Sequence, residues 1–139
     1  ISKSGVFPVF LKTNYKVIFK YKGKYISSIS PSDFIYLIKN ADFVVTSSFH
    51  GICYSLLMKK QFYALCESED SQHDERIKSL LTEIGLFDRI IYKSKHYELK
   101  EMEPINYAHI YAKMDVLINN SKKYLSAAIS DAVDKVKEV

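Results

Sequence analysis

Apolar and polar residues change period along this chain of 139 residues, and each change marks an element. Residues 15–21 (YKVIFKY) are β-branched and aromatic and predict a strand. A helix start follows: Ser30 suits the cap, Pro31 the first helical position, and Asp33 stands three residues past the cap. Phe34, Leu37, Ile38 and Ala41 then fall at i, i+3, i+4, i+7 and form one apolar face. The run Phe43-Val44-Val45-Thr46 is short, continuous and β-branched, as in strands buried on both faces of a parallel sheet. Val44 and Val45 are therefore expected on a central strand, nearly inaccessible. After the turn at 47–51, residues 52–58 predict a second helix ended by Lys59-Lys60, and residues 61–65 the next strand. Residues 74–84 predict a third helix with Ile77, Leu80, Leu81 and Ile84 on one face. Gly85 is placed to end it left-handed, with Leu86 folding back as the apolar partner. Residues 89–92 read as a fourth strand. Residues 106 to about 136 read as a long helix striped by Ile110, Met114, Leu117, Ile118, Ser121, Leu125 and Ala128, bent or divided at Asn119-Asn120-Ser121.

The order β-α-β-α-β-α-β followed by a helix predicts an α/β fold: a parallel, Rossmann-like sheet with helices on both faces, in a single domain over residues 1–139. Ligands of such sheets sit at the carboxyl ends of strands, beside helix N-termini. That rule directs attention to Thr46 through Gly51.

Composition narrows the classes. A 47% hydrophobic and 26% charged chain is globular, and 4 Gly with 3 Pro exclude collagen-like and low-complexity types. The net charge of +4 is spread out, with lysines at 12, 16, 20, 22 and 24 reading as a solvated face. No aromatic ladder of an RNA-binding sheet is present, so nucleic acid is not an expected partner. No apolar run approaches the ~18 residues of a membrane span. Two cysteines, Cys53 and Cys66, make no disulfide scaffold and point to a reducing cytoplasm. The opening residues lack the basic and apolar regions of a signal peptide. A chain that begins on Ile1 is expected to be a piece of something longer.

Ser47-Ser48-Phe49-His50-Gly51 joins a buried strand to a helix. It offers two hydroxyls, an imidazole, a glycine that admits close backbone approach, and a helix N-terminus with unpaired N–H groups. A phosphate or carboxylate suits that set. The plainer alternative is that Ser48 caps the helix and His50 packs. Arginine is scarce, Arg76 and Arg89 against a lysine background, and its fork pairs bidentately with such anions. Arg76 opens the third helix on the edge where His50 should lie, unless it merely pairs with Asp74 or Glu75. Arg89 stands at the amino end of its strand and faces away. His50-x-x-Cys53 with Cys66 and His73 is too widely spaced for a usual zinc knuckle. A Cys–His nucleophilic pair has only the helix dipole to lower its thiol. His96 and His109 have no evident partner.

Residues 30–51, with Ala41-Asp42-Phe43-Val44 and Thr46-Ser47-Ser48-Phe49-His50-Gly51 at their heart, resemble the polysaccharide pyruvyl transferase family. The similarity continues through Lys60-Gln61-Phe62, Arg76-Ile77, Leu80-Leu81, Gly85-Leu86 and Arg89 to Ser121, Tyr124 and Leu125, spanning about residues 30–128. The resemblance implies the carboxyl-terminal, donor-side half of a two-domain, glycosyltransferase-like architecture. It implies transfer of pyruvate from phosphoenolpyruvate onto two hydroxyls of a saccharide as a cyclic ketal, with no cofactor or metal. On this pattern His50 is the catalytic residue near the donor, and Ser47, Ser48, Gly51 and Arg76 bind it. Ser47 stands where similar sequences are often acidic, and Glu75 where Ser is common. Without a facing domain, part of the terminal helix is expected to be exposed or covered by a second copy, giving a homo-oligomer. Two alternatives stand beside it: the donor half of a sugar-nucleotide glycosyltransferase, for which Glu67 or Glu69 would have to hold a ribose, and a non-catalytic α/β binding domain. A receiver-like fold needs an acidic cluster where this chain has Thr46-Ser47-Ser48.

Overall fold

The computed structural model describes residues 8–11, 23–95 and 103–137; the strand expected at 15–21, His96 and four of the five dispersed lysines lie outside the described residues. The chain divides into two compact units, Ile1–Ala41 and Asp42–Val139. Together they hold two small parallel sheets and four α-helices, so the α/β class holds.

In the first unit, β1 (Val9–Leu11) and β2 (Lys24–Ile26) pair in parallel. Phe10 stands opposite Tyr25, their rings stacked 4.7 Å apart. Helix α1 (Pro31–Asn40) starts as its sequence predicts. The Asp33 N–H donates to Ser30 Oγ at 3.1 Å, and the Asp33 carboxylate accepts the Ser30 N–H at 3.2 Å. This reciprocal box satisfies two donors that a helix start otherwise leaves open. The bonds from Ser30 also hold the Asp33 carboxyl below its ordinary pKa.

The second unit runs β3 (Phe43–Thr46), α2 (Phe49–Leu57), β4 (Gln61–Cys66), α3 (Glu75–Ile84), β5 (Ile90–Tyr92) and α4 (Tyr107–Lys137). Single 3-10 turns at Gln72–Asp74 and Phe87–Arg89 lead into α3 and β5. The sheet order is β3-β4-β5, all parallel, with Val44 opposite Phe62 and Ala64 opposite Ile90. Side chains alternate across a strand, so Val44, Phe62, Ala64 and Cys66 share one face. On that face they pack with Ile52 and Leu56 of α2, Ile77, Leu81 and Ile84 of α3, and Ile110 of α4.

Two expectations about this sheet are corrected. The central strand is β4, whose Phe62, Ala64 and Cys66 are wholly buried, and not the Val44-Val45 strand. Val44 is half-buried on the helix side, while Val45 is 58% exposed. The reason is position: among the described residues β3 pairs on one edge only, and its odd-numbered residues stand on the face away from α2, α3 and α4.

Helix α3 ends as Gly85 predicts. At φ 82° this glycine lets the Leu86 N–H reach Leu81 O at 2.6 Å while its own N–H reaches Thr82 O at 3.0 Å. Helix α2 ends the same way without a glycine. Lys59 takes φ 54°, and the Lys60 N–H bonds Ser55 O at 2.8 Å. The left-handed strain of about 1–2 kcal/mol is opposed by the Lys59 ammonium, 5.1 Å from the Tyr111 ring centre.

The long helix runs as one element through Asn119-Asn120-Ser121, so it is not divided there. Three polar residues cost only a few tenths of a kcal/mol each in helix propensity, and neither glycine nor proline is present to force a break. Its first turns are fastened to the end of α2: Tyr111 Oη donates to Leu57 O at 2.9 Å, and Tyr107 Oη donates to Lys60 O. Ile110 is buried and Met114 and Leu117 pack on the core. The same stripe then overhangs the sheet, with Ile118, Leu125, Ala128, Ile129, Val133 and Val136 exposed. No helix among the described residues is long and apolar enough to cross a membrane.

Candidate active site at the carboxyl end of β3

Strand β3 ends at Thr46, and α2 begins at Phe49 after Ser47 and Ser48. Thr46 Oγ1 accepts the Ser48 N–H at 3.1 Å, which sets the turn. Ser48 is the N-cap, its Oγ accepting the Gly51 N–H at 3.3 Å. The helix thus starts three residues earlier than its apolar pattern indicates. Ile52 N–H already bonds Ser48 O, so the open donors are the N–H groups of Phe49 and His50, not those from Gly51 onward.

Gly51 is buried and must be glycine for reasons of space. A Cβ there would lie 2.7 Å from Thr46 Oγ1 and 3.1 Å from Thr46 Cγ2. Its carbonyl accepts the hydroxyl of buried Ser55 at 2.7 Å, a bond made one turn along within α2 itself.

His50 is exposed, so the reading in which it packs into the core fails, while Ser48 does cap. The imidazole meets the Phe49 ring edge-on at 6.1 Å. The Arg76 guanidinium lies over the same ring, 5.2 Å from its centre. Phe49 itself rests on the core. The structure thus brings Arg76 and His50 to one aromatic side chain, with Ser48 and Gly51 in the same turn and Ser47 exposed before it. The surface pairing considered for Arg76 is not made. Glu75 pairs with Lys78 at 3.1 Å, and the Asp74 carboxylate accepts the Glu67 N–H at 2.8 Å.

Arg89 is only 4% exposed and donates to Glu103 O, anchoring the approach to α4 at the other end of the sheet. Glu67 and Glu69 pair with Lys93 and Lys95 across the ends of β4 and β5. Burial pushes both thiols up, Cys66 to about 11 with help from the nearby Asp74 charge. Neither is poised as a nucleophile. Among the described residues no three His, Cys, Asp or Glu side chains cluster to hold a metal ion.

Residues 4–66 match the polysaccharide pyruvyl transferase family model. The resemblance read from the sequence holds over the site: Ser47, Ser48, His50 and Gly51 all fall within the matched segment. The match reaches upstream of residue 30 and ends at Cys66, so Arg76 and the long helix lie beyond it. No curated protein and no solved structure matches the chain. The matched family is one of transferases of polysaccharide biosynthesis, and the strand-end turn just described lies within the matched segment.

Sequence reasoning assigned no role to two residues of this turn. Thr46 reads from its sequence as a strand end bordering the site, and a hydroxyl there followed by two serines is the signal of a turn-setting acceptor. Phe49 was a motif letter; its role emerges only when α3 brings Arg76 over it.

Proposed function

We propose that this chain is the donor-side domain of a two-domain transferase that moves pyruvyl from phosphoenolpyruvate to two hydroxyls of a saccharide. One observation carries the reading. Within the family-matched segment, an exposed His50 follows a capped strand-end turn whose Phe49 and His50 N–H groups are open. Two backbone donors at a helix start suit a phosphate or carboxylate, and phosphoenolpyruvate carries both. Arg76, without a carboxylate partner among the described residues, supplies the fork.

The chemistry assigns each group a task. The first sugar hydroxyl adds to C2 of the donor as a proton goes to the methylene carbon, converting it to a methyl. The second hydroxyl then displaces phosphate, which leaves with the remaining proton. His50 delivers a proton to the methylene carbon or neutralises the departing phosphate. Arg76 and the helix start hold the anion throughout.

The sugar-nucleotide alternative is weakened because Glu67 and Glu69, the groups that would hold a ribose, are engaged by lysines. Titrating the chain with phosphoenolpyruvate and, separately, with nucleotide sugars should give weak heat of binding with the first alone. Binding of nucleotide sugars alone would favour the glycosyltransferase reading, and binding of neither a non-catalytic domain. The reading places the enzyme in the cytoplasm, where Cys53 and Cys66 persist as free thiols.

The overhang of α4 adds a partner. With Leu125 59% exposed and Ile118, Ile129 and Val133 along the same length, self-association through this helix is expected. Sedimentation at rising concentration should show a dimer; a strict monomer throughout would end that proposal.

A further inference from the structure

We infer that Phe49 is a positioning residue, holding the Arg76 guanidinium beside the start of α2 for the donor anion. The inference rests on the donor reading above and adds a residue to it. Three observations meet at this side chain. Its ring is half-buried against the core, so its face is fixed in place. The Arg76 guanidinium lies 5.2 Å from the ring centre, within cation–π range. Its own backbone N–H and that of His50 are the two open donors of the helix.

An exposed arginine ordinarily samples many rotamers, and fixing it costs entropy each time it grips a ligand. A flat ring beneath the guanidinium removes part of that cost beforehand. The face of the ring leaves the N–H fork, which points outward in the guanidinium plane, free to bond an anion. The neighbouring carboxylates do not compete. Glu75 is drawn to Lys78, and Asp74 is turned to the Glu67 N–H. Glu75, the residue that departs from the usual serine, is thereby kept off Arg76.

The test uses the whole chain with phosphoenolpyruvate as probe, in the native form and as Phe49→Leu, Phe49→Tyr, Arg76→Ala and the Phe49→Leu/Arg76→Ala pair. Leucine keeps apolar contact with the core but removes the π face. Arg76→Ala should weaken binding about tenfold or more. Phe49→Leu should weaken it about 2- to 5-fold, and Phe49→Tyr should leave it native. The double variant should bind no worse than Arg76→Ala, because Phe49 acts only through the arginine. A second readout needs no donor: the Arg76 side-chain N–H resonance should be shifted upfield by the ring. It should move back in Phe49→Leu and stay in Phe49→Tyr. Additive losses, a tyrosine variant as weak as leucine, or an unshifted Arg76 resonance would overturn the positioning role while native binding left the donor reading standing. A native chain blind to phosphoenolpyruvate would overturn the donor reading and this role with it, whatever the resonance shows.

Discussion

Replacing His50 by alanine in a catalytically complete protein carrying this chain is expected to slow phosphate release by about 10²–10⁴-fold, the usual contribution of one positioned acid. The melting temperature should stay put. His50 is exposed and meets Phe49 edge-on, and surface substitutions of that kind move stability within about 0.5 kcal/mol. Measuring release rate and melting curve on the same preparation separates the two effects. A structural histidine would give the reverse, with lost stability and full activity per folded molecule. Normal turnover in His50→Ala would remove it from the mechanism.

The largest loss of stability is expected at Phe62. Its ring is wholly buried on the central strand, in one cluster with apolar side chains of α2 and α3. Truncation to alanine removes the transfer free energy of the ring and leaves a cavity, together about 3–5 kcal/mol. Against a total of roughly 5–15 kcal/mol for a domain, that is a large share. Val45→Ala, on the exposed side of β3, should shift the urea midpoint hardly at all. If the two variants exchanged rank, β4 would not be the centre of the sheet.

That pair of positions also shows how far the sequence could be read. The helix and strand periods, the Ser30 box and the Gly85 stop are local, and each was legible because its partners lie within a few residues. Which strand lies at the centre is decided by pairing between segments distant in sequence. Phe43-Val44-Val45-Thr46 is more β-branched than Gln61-Phe62-Tyr63-Ala64-Leu65-Cys66, yet the second has a neighbour on each side. The site divides in the same way. Ser47, Ser48, His50 and Gly51 form one turn and could be read from its letters. The start of α2 was misplaced because Phe49, His50 and Gly51 break the apolar pattern while a Ser48 cap starts the helix. The meeting of Arg76 with Phe49 depends on how α3 lies beside α2, which no spacing encodes.

A single methyl group is enough to pry the strand-end turn apart, since Thr46 and Gly51 fill the same small space. These two positions are therefore not free to drift separately. The atom nearest an alanine Cβ at 51 is the Thr46 hydroxyl oxygen itself, so a serine at 46 would keep the clash, and an alanine there would discard the hydroxyl that orients the Ser48 N–H. Relieving that crowding loosens the helix start, so Thr46 and Gly51 should tolerate substitution poorly although the turn between them faces water.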